Sequence, residues 1–181
     1  MYQDTWINGQ CVAKGQRECE NRYNIIQNVC FSLRKGFSVL DIGANNCYFG
    51  LRLIEDFNCT VTAFEFNSFE KRNEIVKQNK TDRLLFIKRK LSIPDIKILQ
   101  NQSCFDLVLA LSVVHHLPGN TTEWINEIRR LGDNVVIEFA LEDSSRPDIR
   151  KDYKIPEDGK IIGYGHSHLN SSIKRPIVLL K

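Results

Sequence analysis

The sequence predicts an α/β protein: a Rossmann-like, seven-stranded, mostly parallel sheet with a C-terminal antiparallel hairpin. Three observations predict it. Five short apolar runs alternate with stretches of helical periodicity, as in a parallel sheet covered on both faces. Two final strand-like runs are joined only by "NSSIK", too short for a crossover helix, so they pair antiparallel. Finally, the turn "VLDIGANNCYFG", Val39 to Gly50, lies after the first strand, where such sheets bind their ligands.

Each element has its own signal. Glu18 to Leu33 reads as an amphipathic helix, with Tyr23, Ile26, Cys30 and Leu33 at helical spacings and Gly36 as its stop. Residues 1–36 are expected to form a helical lid or extension, within one domain spanning 1–181. "FSVLDIG" is a short buried strand ending at Asp41, Cys47 to Phe57 a helix, and "CTVTAFEF" a second strand ending near Glu65. Asn67 then caps a helix, with Glu70 as its capping-box partner. "RLLFIK" is the third strand and Ile96 to Gln102 one short helix. "CFDLVLALS" is the fourth strand, its near-continuous apolar run expected when both faces are covered. Asn120 and Glu123 repeat the capping pattern before a helix from Glu123 to Leu131, ended by Gly132. "NVVIEFA" is the fifth strand, and "GKIIGYGHSHL" with "RPIVLLK" makes the hairpin.

Composition narrows the class. A net charge of +3 is too small to argue for nucleic acid by itself. The six cysteines show no C-x-x-C spacing, which suits reduced thiols in a cytoplasmic protein, and no metal site is expected. No apolar run is long enough to span a bilayer.

The turn itself is informative. A pyrophosphate-binding loop needs glycines at 43, 45 and 48, but Asn45 and Tyr48 occupy the last two places. Asp41 would repel phosphates and suits a ligand that carries a cation. Asn45 tolerates left-handed backbone better than most residues, so it can replace a glycine. Glu65, at the second strand's end, can accept from ribose hydroxyls, as in dinucleotide folds, or be merely a solvated charge. "ALSVVHHL" follows the fourth strand, and its adjacent His115 and His116 cannot both face one pocket in a regular segment. On a strand, His166 and His168 share one face.

"VLDIGANNCYFGLRL", "TAFEF", "FDLVLALSVVHHL" and "VVIEFA" together resemble class I S-adenosylmethionine-dependent methyltransferases. "WINGQCVAKGQRECENRYNII" and "GYGHSHLNSSIKRPIVLL" are similar to the methyltransferase portion of the bifunctional kinase–methyltransferases that terminate bacterial O-antigen chains. The resemblance implies S-adenosyl-L-methionine as cofactor, with Asp41, Gly43, Ala44, Asn45, Phe49, Glu65, Phe66, Leu111 and Ser112 around it. It implies an oxygen acceptor on a sugar or phosphosugar, with His115, His116 and Glu138 as catalytic candidates and Arg17, Arg22, His168 and Arg175 as acceptor-binding candidates. The sequence departs from the pattern at Cys47, where the family has glycine, and at Ser92, where an acid usually follows the third strand. Two rival readings stand beside this one. The Lys- and Arg-rich stretch from Lys71 to Lys97, with "KRK" at 88–90, would suit an RNA methyltransferase, but it falls at the sheet edge with few aromatics. A degenerate binding subunit, with Cys47 as the sign of decay, is the other.

Overall fold

The computed structural model describes residues 1–102, 104–141, 153–167 and 170–181. The chain divides into two compact units, Met1–Lys90 and Leu91–Lys181. Seven strands make the expected mostly parallel sheet, in the order β5-β4-β3 within the first unit and β6-β7-β9-β8 within the second.

The first unit opens with β1 (Thr5–Ile7) and β2 (Gln10–Ala13), an antiparallel hairpin in its own small sheet. The stretch expected as a helical lid or extension thus holds a strand pair as well as a helix. Its turn is Asn8-Gly9, both at positive φ, the pair that a two-residue hairpin turn favours. Helix α1 (Cys19–Cys30) follows, burying Tyr23, Ile26, Val29 and Cys30 along one face. It ends before Leu33, and Gly36 (φ 68°) serves the turn into β3 instead. Then come β3 (Ser38–Ile42), α2 (Tyr48–Phe57), β4 (Thr60–Glu65), α3 (Phe69–Gln78) and β5 (Leu84–Lys88), the three strands parallel and in register. The capping box expected at Asn67 and Glu70 does not form. Ser68, at φ 50°, is the residue before α3 and makes no side-chain cap, while Glu70 pairs with Lys88.

In the second unit α4 (Ile93–Gln102) begins earlier than expected. Ser92 N–H and Oγ both donate to Asp95 Oδ2, at 2.9 and 2.7 Å, and stabilise its first turn. Strand β6 (Leu107–Leu111) is buried throughout. A 3-10 turn (Val114–His116) leads to α5 (Thr121–Arg129), where the Asn120 side chain accepts from Glu123 N–H at 3.1 Å, as expected. The helix ends at Arg129, short of the expected Leu131, and Gly132 has another role: a Cβ there would stand 2.4 Å from the Phe105 carbonyl oxygen. β7 (Val135–Glu138) runs parallel to β6, while β8 (Lys160–His166) and β9 (Lys174–Leu180) form the antiparallel hairpin, β9 pairing with β7. All six cysteines are free thiols.

Candidate functional site

The turn between β3 and α2 alternates its backbone hand. Gly43 (φ 73°), Asn45 (φ 53°) and Cys47 (φ 56°) are all left-handed. The sparse glycines thus mark no loss of the turn: Asn45 and Cys47 adopt the backbone that glycine would supply. Gly50 keeps a separate role. A Cβ there would stand 3.0 Å from Val61 Cγ1, so its absence lets α2 lie close on β4.

The turn is fixed from outside by hydrogen bonds. Gly43 and Ala44 N–H groups both donate to the Phe64 carbonyl, at 2.9 and 3.0 Å. Asn45 N–H donates to Glu65 Oε2 at 2.9 Å. The other Glu65 oxygen accepts from Phe66 and Asn67 N–H, at 2.7 and 2.6 Å, and lies 3.5 Å from Arg72 Nη1. Asn46 N–H donates to Gln3 Oε1 at 3.2 Å.

Two acceptors in this cradle remain open among the described residues. Asp41 Oδ2 and Asn45 Oδ1 are buried without a hydrogen-bond partner. Burial, and then the negative charge of Glu65, push the Asp41 carboxyl up to about 7. A buried acceptor left unpaired is costly, so this pair calls for donors. An ammonium and hydroxyls meet that demand, whereas a pyrophosphate has no donors to offer.

The second unit gathers another polar group. Ser112, after β6, is left-handed at φ 53°, and its Oγ donates to Glu138 Oε2 at 2.6 Å. Arg175 Nη1 donates to the same Oγ at 3.3 Å, and its Nη2 donates to Ser167 Oγ at 3.3 Å. Ser112, Glu138, Ser167 and Arg175 are all buried. Leu111 ends β6 and is buried beside them in sequence. His115 is buried, its ring 6.3 Å from that of Tyr153 and 4.0 Å from that of His116, which is exposed. Tyr153 stacks on Phe139, and its hydroxyl donates to the Glu138 carbonyl at 3.4 Å. His168 lies outside the described residues.

The remaining candidates separate. Arg17 lines a groove of about 550 Å³ with Gln16, Asn21 and Asn24. Arg22 is buried, its guanidinium 5.1 Å from the centre of the Phe49 ring and its Nη2 3.6 Å from Cys19 Sγ. Phe49 is likewise buried, and Phe66 is exposed. Gln3, Asn46 and Arg72, which brace the turn and its carboxylate, were missed by sequence reasoning; only the tight turn itself hinted that neighbours must hold it.

Solved structures share this architecture. The chain is 21% identical to WbdD in complex with the kinase inhibitor LY294002, at a TM-score of 0.72 over 93% of this chain and 42% of that one. It is 22% identical to a second structure of that bifunctional kinase–methyltransferase, with TM-score 0.72 over 93% of this chain and 40% of that one. It is 15% identical to magnesium protoporphyrin IX methyltransferase (ChlM) from Synechocystis PCC 6803 with bound S-adenosylmethionine, with TM-score 0.61 over 88% and 77% of the two chains.

The fold is that of the class I methyltransferases.

This chain spans about two fifths of the length of the WbdD structures, 42% and 40%. No protein-family model matches the sequence, and neither does any curated protein. In the methyltransferase fold the turn after β3 faces the strands' carboxyl ends, where an open α/β sheet takes its ligand. The open acceptors of Asp41 and Asn45 stand at that turn and fit the ammonium and hydroxyl groups of S-adenosylmethionine.

Proposed function

We propose that the protein is an S-adenosylmethionine-dependent methyltransferase whose acceptor is an oxygen on a sugar or phosphosugar. The observation that carries the reading is the pair of buried, open acceptors at Asp41 and Asn45. When bound, S-adenosylmethionine supplies a methyl group on a sulfonium, open to in-line attack by the acceptor oxygen. Asp41 holds the ammonium, and that charge draws its carboxyl back toward the ionised form. Glu65 keeps the turn in shape and offers its remaining lone pairs to the ribose. The turn's left-handed backbone brings Gly43 and Ala44 close without a bulky side chain between.

The acceptor reading rests on the second polar group and on the resemblance of both chain ends to enzymes of glycan synthesis. Arg175, buried between Ser112 and Ser167, is a fixed cation beside hydroxyl groups, suited to a phosphorylated sugar. A sugar hydroxyl would need a base, for which His115 and His116 are the candidates; a phosphate oxygen would need none. Glu138, tied to Ser112, orients that serine.

Two measurements test this. Titration with S-adenosylmethionine is expected to give micromolar affinity, about −8 kcal/mol. Labelled methyl groups are expected on sugars, phosphosugars or glycans in an acceptor screen. No heat and no thermal shift at millimolar cofactor would leave the degenerate binding subunit as the better reading. Label appearing only in RNA would reassign the acceptor.

A further inference from the structure

The turn from Gly43 to Cys47 holds a shape that Asn45 and Cys47 do not favour intrinsically, and such backbone persists only where its surroundings hold it. Glu65 supplies one hold, through Asn45. Residue 3 supplies the other. Asn46 N–H donates to Gln3 Oε1 at 3.2 Å, and Asn46 Nδ2 donates to the Gln3 carbonyl at 3.3 Å. Both residues are buried, Gln3 with 5% and Asn46 with 2% of its surface exposed. Gln3 is itself braced. Gln16 and Arg17 N–H groups donate to the Met1 and Tyr2 carbonyls, at 3.0 and 3.1 Å. Gly15 N–H donates to Asp4 Oδ1 at 2.8 Å. A Cβ on Gly15 would stand 2.3 Å from the Gln3 carbonyl carbon, so the two segments cross in contact.

We propose that Gln3 is a positioning residue for the cofactor turn: its amide oxygen, presented by the crossed segments 1–4 and 15–17, sets Asn46 and through it the direction of the open acceptors on Asn45 and Asp41. The proposal rests on the S-adenosylmethionine reading of that turn. By linkage, a ligand that needs the turn in this shape also strengthens the Gln3–Asn46 bonds.

The test compares the intact chain with Gln3→Met, which keeps length but removes the acceptor, and Gln3→Glu, which keeps an oxygen in place. Two quantities are read: affinity for S-adenosylmethionine by calorimetry, and hydrogen exchange of the Asn46 amide in the free protein. Gln3→Met is expected to speed Asn46 exchange and weaken cofactor binding by roughly tenfold, the equivalent of a lost hydrogen bond. Gln3→Glu is expected to restore both. Unchanged affinity in Gln3→Met, or equal losses in Met and Glu variants without faster Asn46 exchange, overturns the proposal. Should Gln3→Met not fold, Gln3→Asn withdraws the oxygen by one methylene and carries the same expectations. If the unaltered protein binds no cofactor, the functional reading fails. Asn46 exchange in the free protein then still decides whether Gln3 holds the turn.

Discussion

Cys47 is the residue whose replacement tests the turn most sharply. It sits left-handed at φ 56°, fully buried, immediately before α2, and makes no side-chain cap. For an L-residue that backbone costs roughly 1–2 kcal/mol, which glycine does not incur. Against this relief stands the loss of a buried CH₂–SH group, on the order of 1–2 kcal/mol. Glycine also loses more chain entropy on folding, roughly 0.5–1 kcal/mol. Cys47→Gly should therefore lie within about 1 kcal/mol of the parent protein. Cys47→Ala keeps the strain of roughly 1–2 kcal/mol but also keeps a buried methyl, about 0.8 kcal/mol, and avoids glycine's entropy loss of roughly 0.5–1 kcal/mol, so the two variants should lie within about 1 kcal/mol of each other, where an unstrained buried position would favour alanine by about 1.5 kcal/mol. Denaturant unfolding of the two variants, with their cofactor affinities, provides the assay. A Cys47→Ala protein more stable than Cys47→Gly by the full ~1.5 kcal/mol would refute the argument that left-handed strain is stored there. A large loss of affinity in Cys47→Gly would show that the sulfur itself packs against the ligand.

Asp41 should make both folding and cofactor binding pH-dependent. Its folded carboxyl is raised to about 7, so the folded chain binds the extra proton; stability of the free protein should fall as pH rises from about 4 through about 7, a slope absent in Asp41→Asn. Cofactor affinity should run the other way, tightening as pH rises through about 7, because the ammonium favours the ionised form; calorimetry showing no such pH dependence would sink Asp41's role. Glu65→Ala leaves three backbone N–H groups without their acceptor, so it should cost roughly 2–4 kcal/mol of stability in denaturant as well as cofactor affinity. Gly50→Ala would gain about 1 kcal/mol at a free helix position, but the 3.0 Å approach to Val61 should turn it into a loss measurable as a lower melting temperature.

Periodic apolar runs made the sheet and its helices legible, and the short "NSSIK" joint made the final hairpin so. Local chemistry was less dependable. Asn120 with Glu123 formed the cap its pattern promises, yet the same pattern at Asn67 and Glu70 failed. There Glu65, two residues earlier, takes the Asn67 N–H before the helix can use it, and Lys88, from the neighbouring strand, takes Glu70. The opening hairpin carried its signal in Asn8-Gly9, but strands of three and four residues offer too little alternation to be read. In the turn, Asn45's left-handed backbone was legible from residue type, whereas that of Cys47 contradicts its type. The grouping of Ser112, Glu138, Ser167 and Arg175 depends on strands brought together across long sequence separations, 63 residues between Arg175 and Ser112. Its members could be suspected singly, but their mutual bonds could not be read.

The basic stretch around β5 has a consequence for solubility. Among the described residues β5 begins the sheet order with β4 as its strand neighbour, and an edge of that kind offers its outer backbone groups to any second strand. Leu85 is exposed on it, an invitation to stick. Arg83 precedes the same strand, Lys88 ends it in an ion pair with Glu70, and Arg89 and Lys90 follow it. Two copies meeting edge to edge would bring these cations together and strip water from them, and that repulsion opposes the pairing. The charges that looked like a handle for nucleic acid would then act as a guard, keeping one molecule's open edge from becoming the template for the next.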